Sequence, residues 1–153
     1  MLGSRILLVD DERVFVDNMT RLLNNRGYRV TGVNSGGDAI ESLQNERFDV
    51  VVLDLKMPGM DGITTLKEIK KLGLFTETLI LTGHGSIDTA MEAIKLGAYD
   101  YLTKPCEIEE LVIKIEGAWE KKNGAEKKDM EEKIQRIVES PSSVFDLFPD
   151  QKR

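Results

Sequence analysis

Two apolar runs that each end in aspartate, ILLVDDE at residues 6–12 and VVVLDLKMPGMDG at residues 50–62, constrain this chain more than any other feature. Each is a stretch of β-prone apolar residues without polar alternation, the pattern of a strand buried on both faces of a parallel sheet. Asp10, Asp11 and Asp54 then stand where such strands emerge. Ligands of these sheets bind outside the carboxyl ends of the strands, where the winding direction reverses. Carboxylates converging there repel one another unless a hard divalent cation joins them, and oxygen-only ligation suits magnesium. Metal-assisted phosphate chemistry is the expectation.

Apolar runs and helical periods alternate along the chain, which predicts an α/β fold with a parallel sheet. Strands are expected at 5–10, 28–33, 48–53, 78–81 and 100–102. The first helix is read over 12–26, with Phe15, Met19, Leu22 and Leu23 on its apolar stripe and Gly27 as its stop. The second, 37–44, turns Ala39, Ile40 and Leu43 inward, and the third, 62–72, turns Ile63, Leu66 and Ile69 inward before Gly73. A fourth begins after a Ser86 cap and carries Ile87, Ala90, Met91 and Ile94 before Gly97. The fifth, from Glu107, uses Ile108, Leu111, Val112 and Ile115, with Trp119 at its margin. Right-handed crossovers wind these elements into a doubly wound, flavodoxin-like sheet of order 2-1-3-4-5, in which the first and third strands are neighbours. Their aspartates therefore meet.

A chain of 153 residues has room for one ordinary domain, assigned to residues 1–120, and a charged C-terminal helical extension with a short apolar-containing tail at 121–153. The net charge of −6 argues against a nucleic-acid or anionic-membrane surface. Residues 120–153 carry equal numbers of basic and acidic side chains, so the excess acid belongs to the main domain. Cys106 is the single cysteine, which excludes an internal disulfide and fits a reducing compartment. No run approaches the ~18 apolar residues that span a bilayer. The start, MLGSR, has no apolar core of a signal peptide, and a cytoplasmic location is expected.

The acidic pair Asp10–Asp11, the strand-end Asp54 with its MPGMDG turn, Thr82, Tyr101 and the pair Lys104–Pro105 occur in an order that resembles the receiver domain of two-component response regulators. The resemblance covers roughly residues 5–120. It implies that Asp54 is the phosphoacceptor, and that Asp10, Asp11, Asp54 and the Lys56 backbone carbonyl hold magnesium, or manganese in its place. It further implies that Lys104 contacts phosphoryl oxygens, that Thr82 is the switch hydroxyl, and that the Tyr101 ring rotates inward as Thr82 moves. Gly83 leaves the phosphoryl group approachable. Lys56 and His84 occupy positions that tune phosphoryl lifetime, and the Lys104–Pro105 bond is expected to be cis. Each residue has a plainer reading as well: Asp11 or Glu12 as a helix N-cap, Thr82 as a loop cap, Tyr101 as a half-buried sheet aromatic, His84 as a loop residue. Met57–Met60 reads as a turn with packing side chains, supported by Pro58, Gly59 and Gly62.

The function implied is a phosphorylation-activated switch that changes the face of its fourth helix, fifth strand and fifth helix. It is not an enzyme apart from its own phosphorylation and dephosphorylation. Its partners are a sensor histidine kinase or a phosphotransfer protein, with a homodimer also possible, and neither direct nucleic-acid binding nor a membrane is expected. An aspartyl-phosphate phosphohydrolase is disfavoured, because Lys56 stands two residues after Asp54, where such enzymes carry a second acid. A nucleotide-binding domain lacks its phosphate loop. For the output, TGHGSIDTAMEAIKLGAYDYLTKP is similar to receivers of AAA+ transcription activators. The chain is either a stand-alone receiver or the N-terminal receiver fragment of a DNA-binding transcriptional regulator.

Beyond Trp119 the segment EKKNGAEKKDMEEKIQRIVES offers Met130, Ile134, Ile137 and Val138 as an apolar edge. It reads as a solvated helix, a linker or a short dimerising helix, with Gly124 weakening any continuous helix by ~1 kcal/mol. Val144, Phe145, Leu147 and Phe148 cluster in the tail. The segment is expected either to extend the fifth helix and dock its end on a receiver, its own or a partner's, in a phosphorylation-sensitive manner, or to be a disordered terminus.

Overall fold

The computed structural model of the chain describes residues 3–57, 59–83 and 87–143. The elements run β1 (Arg5–Val9), α1 (Arg13–Asn25), β2 (Arg29–Val33), α2 (Gly36–Asn45), β3 (Val50–Leu53), α3 (Gly62–Lys71), β4 (Glu77–Thr82), α4 (Ile87–Lys95), β5 (Asp100–Thr103) and α5 (Ile108–Glu139), followed by a 3-10 turn at Pro141–Ser143. All strand pairs are parallel, in the order β2-β1-β3-β4-β5.

The two-residue period of a strand sends successive side chains to opposite faces of the sheet. On one face Leu7, Val9, Val51, Leu53 and Ile80 meet Ala39 and Leu43 of α2, Leu66 and Ile69 of α3, and Ala90 and Ala93 of α4. On the other, Ile6, Leu8, Val50, Val52, Leu79 and Leu81 meet Val16, Met19 and Leu23 of α1 and Leu111, Ile115 and Ala118 of α5. Burial on both faces is why the central strands are continuously apolar. The outer strands β2 and β5 are only partly buried, and their sequences RVTGV and DYLT are correspondingly mixed.

Helix ends follow local chemistry. The Ser35 hydroxyl accepts from the Asp38 N–H at the start of α2, and Asp61 Oδ1 accepts from the Thr64 N–H at the start of α3. Gly27 and Gly73, at φ of +96° and +67°, take the left-handed conformation just past α1 and α3. Two apolar faces differ from expectation. In α1 the buried residues are Val16, Met19 and Leu23, whereas Leu22 is 41% exposed and Phe15 half-buried. In α4 the buried residues are Ala90 and Ala93, while Ile87 and Met91 are exposed. On α4 the expected stripe includes Ala90 but misses Ala93, a small residue that permits the close approach to the sheet that a bulkier one would block. Met57 is buried in the core and Met60 is exposed; Pro58 and the Ser86 cap lie outside the described residues.

The expected helical extension is present: α5 runs on past Trp119 and through Gly124 to Glu139. Its lysines, glutamates and alanine are good helix formers, and Asp129 pairs with Lys133 one turn on at 3.2 Å, which together outweigh a single glycine. The described residues divide into two compact units, one ending at Lys122 and the next beginning at Asn123. In the first, Lys122 Nζ bonds Asp49 Oδ1 at 3.0 Å, and Lys121 pairs with Glu77 at 3.6 Å. In the second, Met130, Ile134 and Val138 are exposed on α5. The tail residues Val144, Phe145, Leu147 and Phe148 lie outside the described residues. Among the described residues no helix is long and apolar enough to cross a membrane.

Two glycines make opposite demands. A Cβ on Gly62 would lie 2.3 Å from Leu55 Cα and 2.6 Å from the Asp54 carbonyl oxygen, so the chain after β3 packs on this helix start only without a side chain. A Cβ on Gly37 would meet nothing within 4 Å. Urea denaturation should find Gly62→Ala destabilised by about 1–3 kcal/mol through forced backbone movement. Gly37→Ala, inside α2, should be stabilised by about 0.5–1 kcal/mol.

Candidate functional site

The site forms where β1, β3, β4 and β5 release the chain at their carboxyl ends. The register pairs Val9 with Leu53, so the next residues, Asp10 and Asp54, emerge side by side. The Asp10 N–H bonds the Val33 carbonyl and the Asp54 N–H bonds the Val9 carbonyl, extending the ladder under both carboxylates. The Lys104 N–H bonds the Thr82 carbonyl in the same way. Three carboxylate oxygens, one each from Asp10, Asp11 and Asp54, lie within 4.8 Å of one another. Asp10 and Asp54 are 1% and 4% exposed, whereas Asp11 faces solvent.

Backbone and side-chain donors hold this cluster. The Glu12 N–H donates to Asp10 Oδ1 at 3.0 Å, and the Lys56 N–H donates to Asp54 Oδ1 at 3.3 Å. Lys104 Nζ lies 2.5 Å from Asp10 Oδ2 and 3.8 Å from Asp54 Oδ2. The Lys104–Pro105 peptide is cis. Two further groups touch the ammonium: Glu12 Oε1 at 3.5 Å and the Phe15 ring, whose centroid is 4.4 Å away. The proximity of Glu12 could have been read from the DDE triplet, where it appeared only as an N-cap. No sequence signal marked Phe15, which was assigned to the core stripe.

Charge and burial conflict at this rim. Burial of Asp54, reinforced by the Asp10 charge, raises its carboxyl to about 6 against the pull of Lys104. Burial alone would lower the Lys104 ammonium, but the Asp10 hydrogen bond and the charges of Asp54, Asp10 and Glu12 push it above its usual value. One ammonium faces three aspartates and Glu12, leaving net negative charge in a partly desolvated place. The donor set is oxygen only, with two buried carboxylates and one exposed, and it fits a hard divalent cation open to solvent on one side.

Beside the cluster, Thr82 is fully buried and its hydroxyl has no hydrogen-bond partner among the described residues. Leaving such a group unpaired costs about 1–3 kcal/mol. Tyr101 is half-buried against the core layer under α4, and pairs in register with Ile80, two residues before Thr82 on the same face of β4. A Cβ on Gly83 would meet nothing within 4 Å. Asp10, Asp11, Asp54 and Lys104 are thus in one cluster, with Thr82 and Tyr101 on adjoining strands. Lys56 is an exposed residue after β3 and His84 lies outside the described residues.

Known proteins are similar to this chain in sequence and in fold. Residues 6–116 match the model of the response regulator receiver domain. The transcriptional regulatory protein ZraR of Escherichia coli K12 is 44% identical over 113 residues, which are 74% of this chain and 26% of that protein. The transcriptional regulatory protein FixJ of Bradyrhizobium diazoefficiens is 39% identical over 115 residues, covering 75% of this chain and 56% of that protein. The chain thus spans about a quarter of the length of ZraR. A response regulator receiver domain protein from Clostridium thermocellum superposes with a TM-score of 0.74 at 38% identity, covering 78% of this chain and 97% of its own. With the sheet order, the acidic rim and these matches in agreement, the chain belongs to the response regulator receiver family of two-component signal transduction.

Proposed function

We propose that this chain is a phosphorylation-operated switch in which residues 1–120 act as the receiver and residues 121–153 as its extension. A carboxylate oxygen of Asp54 attacks the phosphorus of a phosphohistidine on a sensor kinase or phosphotransfer protein. The P–O bond forms as the P–N bond breaks, and the imidazole leaves with a proton. The observation that carries this reading is a buried strand-end carboxylate flanked by two others and an ammonium. Asp10, Asp11, Asp54 and the Lys56 carbonyl are the residues that would hold magnesium or manganese. Such an ion supplies charge neutralisation at the transferring phosphoryl group.

This chain's own groups do the rest. Lys104 turns from Asp10 toward the new phosphoryl oxygens as a point charge. The Thr82 hydroxyl, short of a partner at present, donates to one of them. Tyr101 then fills space on the α4 side, and the α4-β5-α5 face changes. Lys56 and His84 set how long the phosphoryl group lasts. The setting is the cytoplasm, where the kinase partner offers its phosphohistidine. A second reading draws on the relatives: ZraR and FixJ are transcriptional regulators longer than this chain, which would make it the receiver portion of a DNA-binding regulator. A phosphohydrolase would instead turn over many equivalents of a phosphate ester.

With acetyl phosphate and magnesium, intact-mass analysis should find one added phosphoryl group, lost in Asp54→Asn and in chelator. Undiminished labelling of Asp54→Asn would remove Asp54 from the role.

The raised Asp54 value has a signed consequence for stability. Its proton is held to about pH 6 in the folded protein and to about 3.8 ordinarily, so burying the anion weakens the fold above pH 6 and costs nothing below pH 4. In chelator, Asp54→Asn should therefore be more stable than the parent at pH 7, on the order of 1–3 kcal/mol at ~1.4 kcal/mol per pKa unit. That advantage should fade as the pH falls to 4, as followed by urea midpoints.

Thr82→Ala should still accept phosphate yet lose the response. Amide exchange in α4, β5 and α5, compared with and without a beryllofluoride mimic, should change in the parent by an amount equivalent to about 1–3 kcal/mol. In Thr82→Ala the two profiles should coincide; an unaltered response there would remove Thr82 from the relay.

A further inference from the structure

The Lys104 ammonium is enclosed by three oxygens of carboxylates, on Asp10, Glu12 and Asp54, and by one group of another kind, the face of Phe15 at 4.4 Å. We infer that Phe15 is a positioning residue for Lys104, holding its ammonium over the acidic cluster while leaving its N–H donors free to change partners. The inference rests on the proposed role of Lys104 at the phosphoryl group and adds to it the residue that keeps the lysine in place.

The argument begins with what an ammonium can do. It has three N–H donors and no acceptor, and each carboxylate contact engages one donor in a fixed direction. A lysine held only by carboxylates would give up a bond to Asp10 before gaining one at Asp54. An aromatic face attracts the same charge through its quadrupole and takes no directional bond, and the attraction grows where water is excluded. Here the Lys104 side chain is 16% exposed, so the ring acts in such a place. Attraction to the ring persists while the N–H groups are redistributed.

Phe15 is built to be a fixed surface. It lies in the first turn of α1 and packs against the core layer of Val16, Met19 and Leu23. Val16 takes the fully buried position, which leaves Phe15 on the flank of the helix beside the lysine. A side chain needed for volume alone could be leucine at that half-buried flank. The aromatic face is what leucine lacks.

The test uses the full 153-residue chain and the variants Phe15→Leu, Phe15→Tyr and Phe15→Trp, with folding checked by circular dichroism. The Lys104 side-chain methylene signals, assigned by NMR without phosphodonor, should be shifted upfield by the ring in the parent, return to ordinary positions in Phe15→Leu, and stay shifted in Phe15→Tyr. With acetyl phosphate and magnesium, Phe15→Leu should label roughly three- to tenfold more slowly, the size expected of a partly desolvated cation–π contact, with Tyr and Trp restoring most of the rate. In a Lys104→Met background, Phe15→Leu should bring no further loss. Parental labelling by Phe15→Leu, failure of Tyr and Trp to rescue, an equal loss in the Lys104→Met background, or unshifted Lys104 signals in the parent would each overturn the inference. The NMR arm needs no phosphotransfer, so undiminished labelling of Asp54→Asn would overturn the proposed function while leaving the ring contact measurable.

Discussion

The side-by-side register of β1 and β3 forces Asp10 and Asp54 into one buried place, and most of the site answers that repulsion. Lys104 arrives from the end of β5 because it is the cation within reach, and it settles on Asp10 in preference to Asp54. Backbone N–H groups of Glu12 and Lys56 take one oxygen each. Asp54 stays under-compensated, and its carboxyl holds a proton well above the usual carboxylate range. A sheet with its strands in another order would separate these carboxylates and dissolve the oxygen cluster that fits a divalent cation.

The same rim carries a second deficit in the Thr82 hydroxyl, buried without a partner. Natural proteins accept such local costs where function requires them and offset them elsewhere. Here the offset lies beneath, in two apolar layers that bury both faces of the central strands. The site is thus an unfavourable arrangement standing on a favourable one. The first deficit has the sign that a divalent cation would reverse, and the second that a hydrogen-bond acceptor brought to Thr82 would reverse.

Sequence patterning disclosed the central strands well, because burial on both faces leaves runs such as VVVL with no alternation to misread. The rim aspartates followed from where those runs end. Helix faces were less legible: on α4 the expected Ala90 is buried, but its buried neighbour is Ala93, while the larger Ile87 and Met91 are exposed. The helical extension was legible in its helix formers, and the weakening expected of Gly124 is outweighed by them and by the Asp129–Lys133 pair. Phe15 was hidden for a different reason. Its ring meets a lysine distant in sequence, and such a contact leaves no periodic trace. The division between the two units is marked in sequence only by a change in composition, since α5 runs on from Ile108 to Glu139.

The small residues beneath α4 also bear on what can move. Lifting a helix from its sheet costs in proportion to the apolar surface it must return to water, ~0.8 kcal/mol for each methylene. Among the described residues α1 fully buries Val16, Met19 and Leu23, and α5 buries Leu111, Ile115 and Ala118, whereas α4 buries only Ala90 and Ala93. Ile94 and Leu96 add partial contacts, but the grip remains the lightest of the three. Of these three helices α4 is therefore the most lightly held, and the unpaired Thr82 hydroxyl stands at the end of the strand that precedes it. Displacing α4 returns less apolar surface to water than displacing α1 or α5, in the same way that a hinge turns at its loosest leaf.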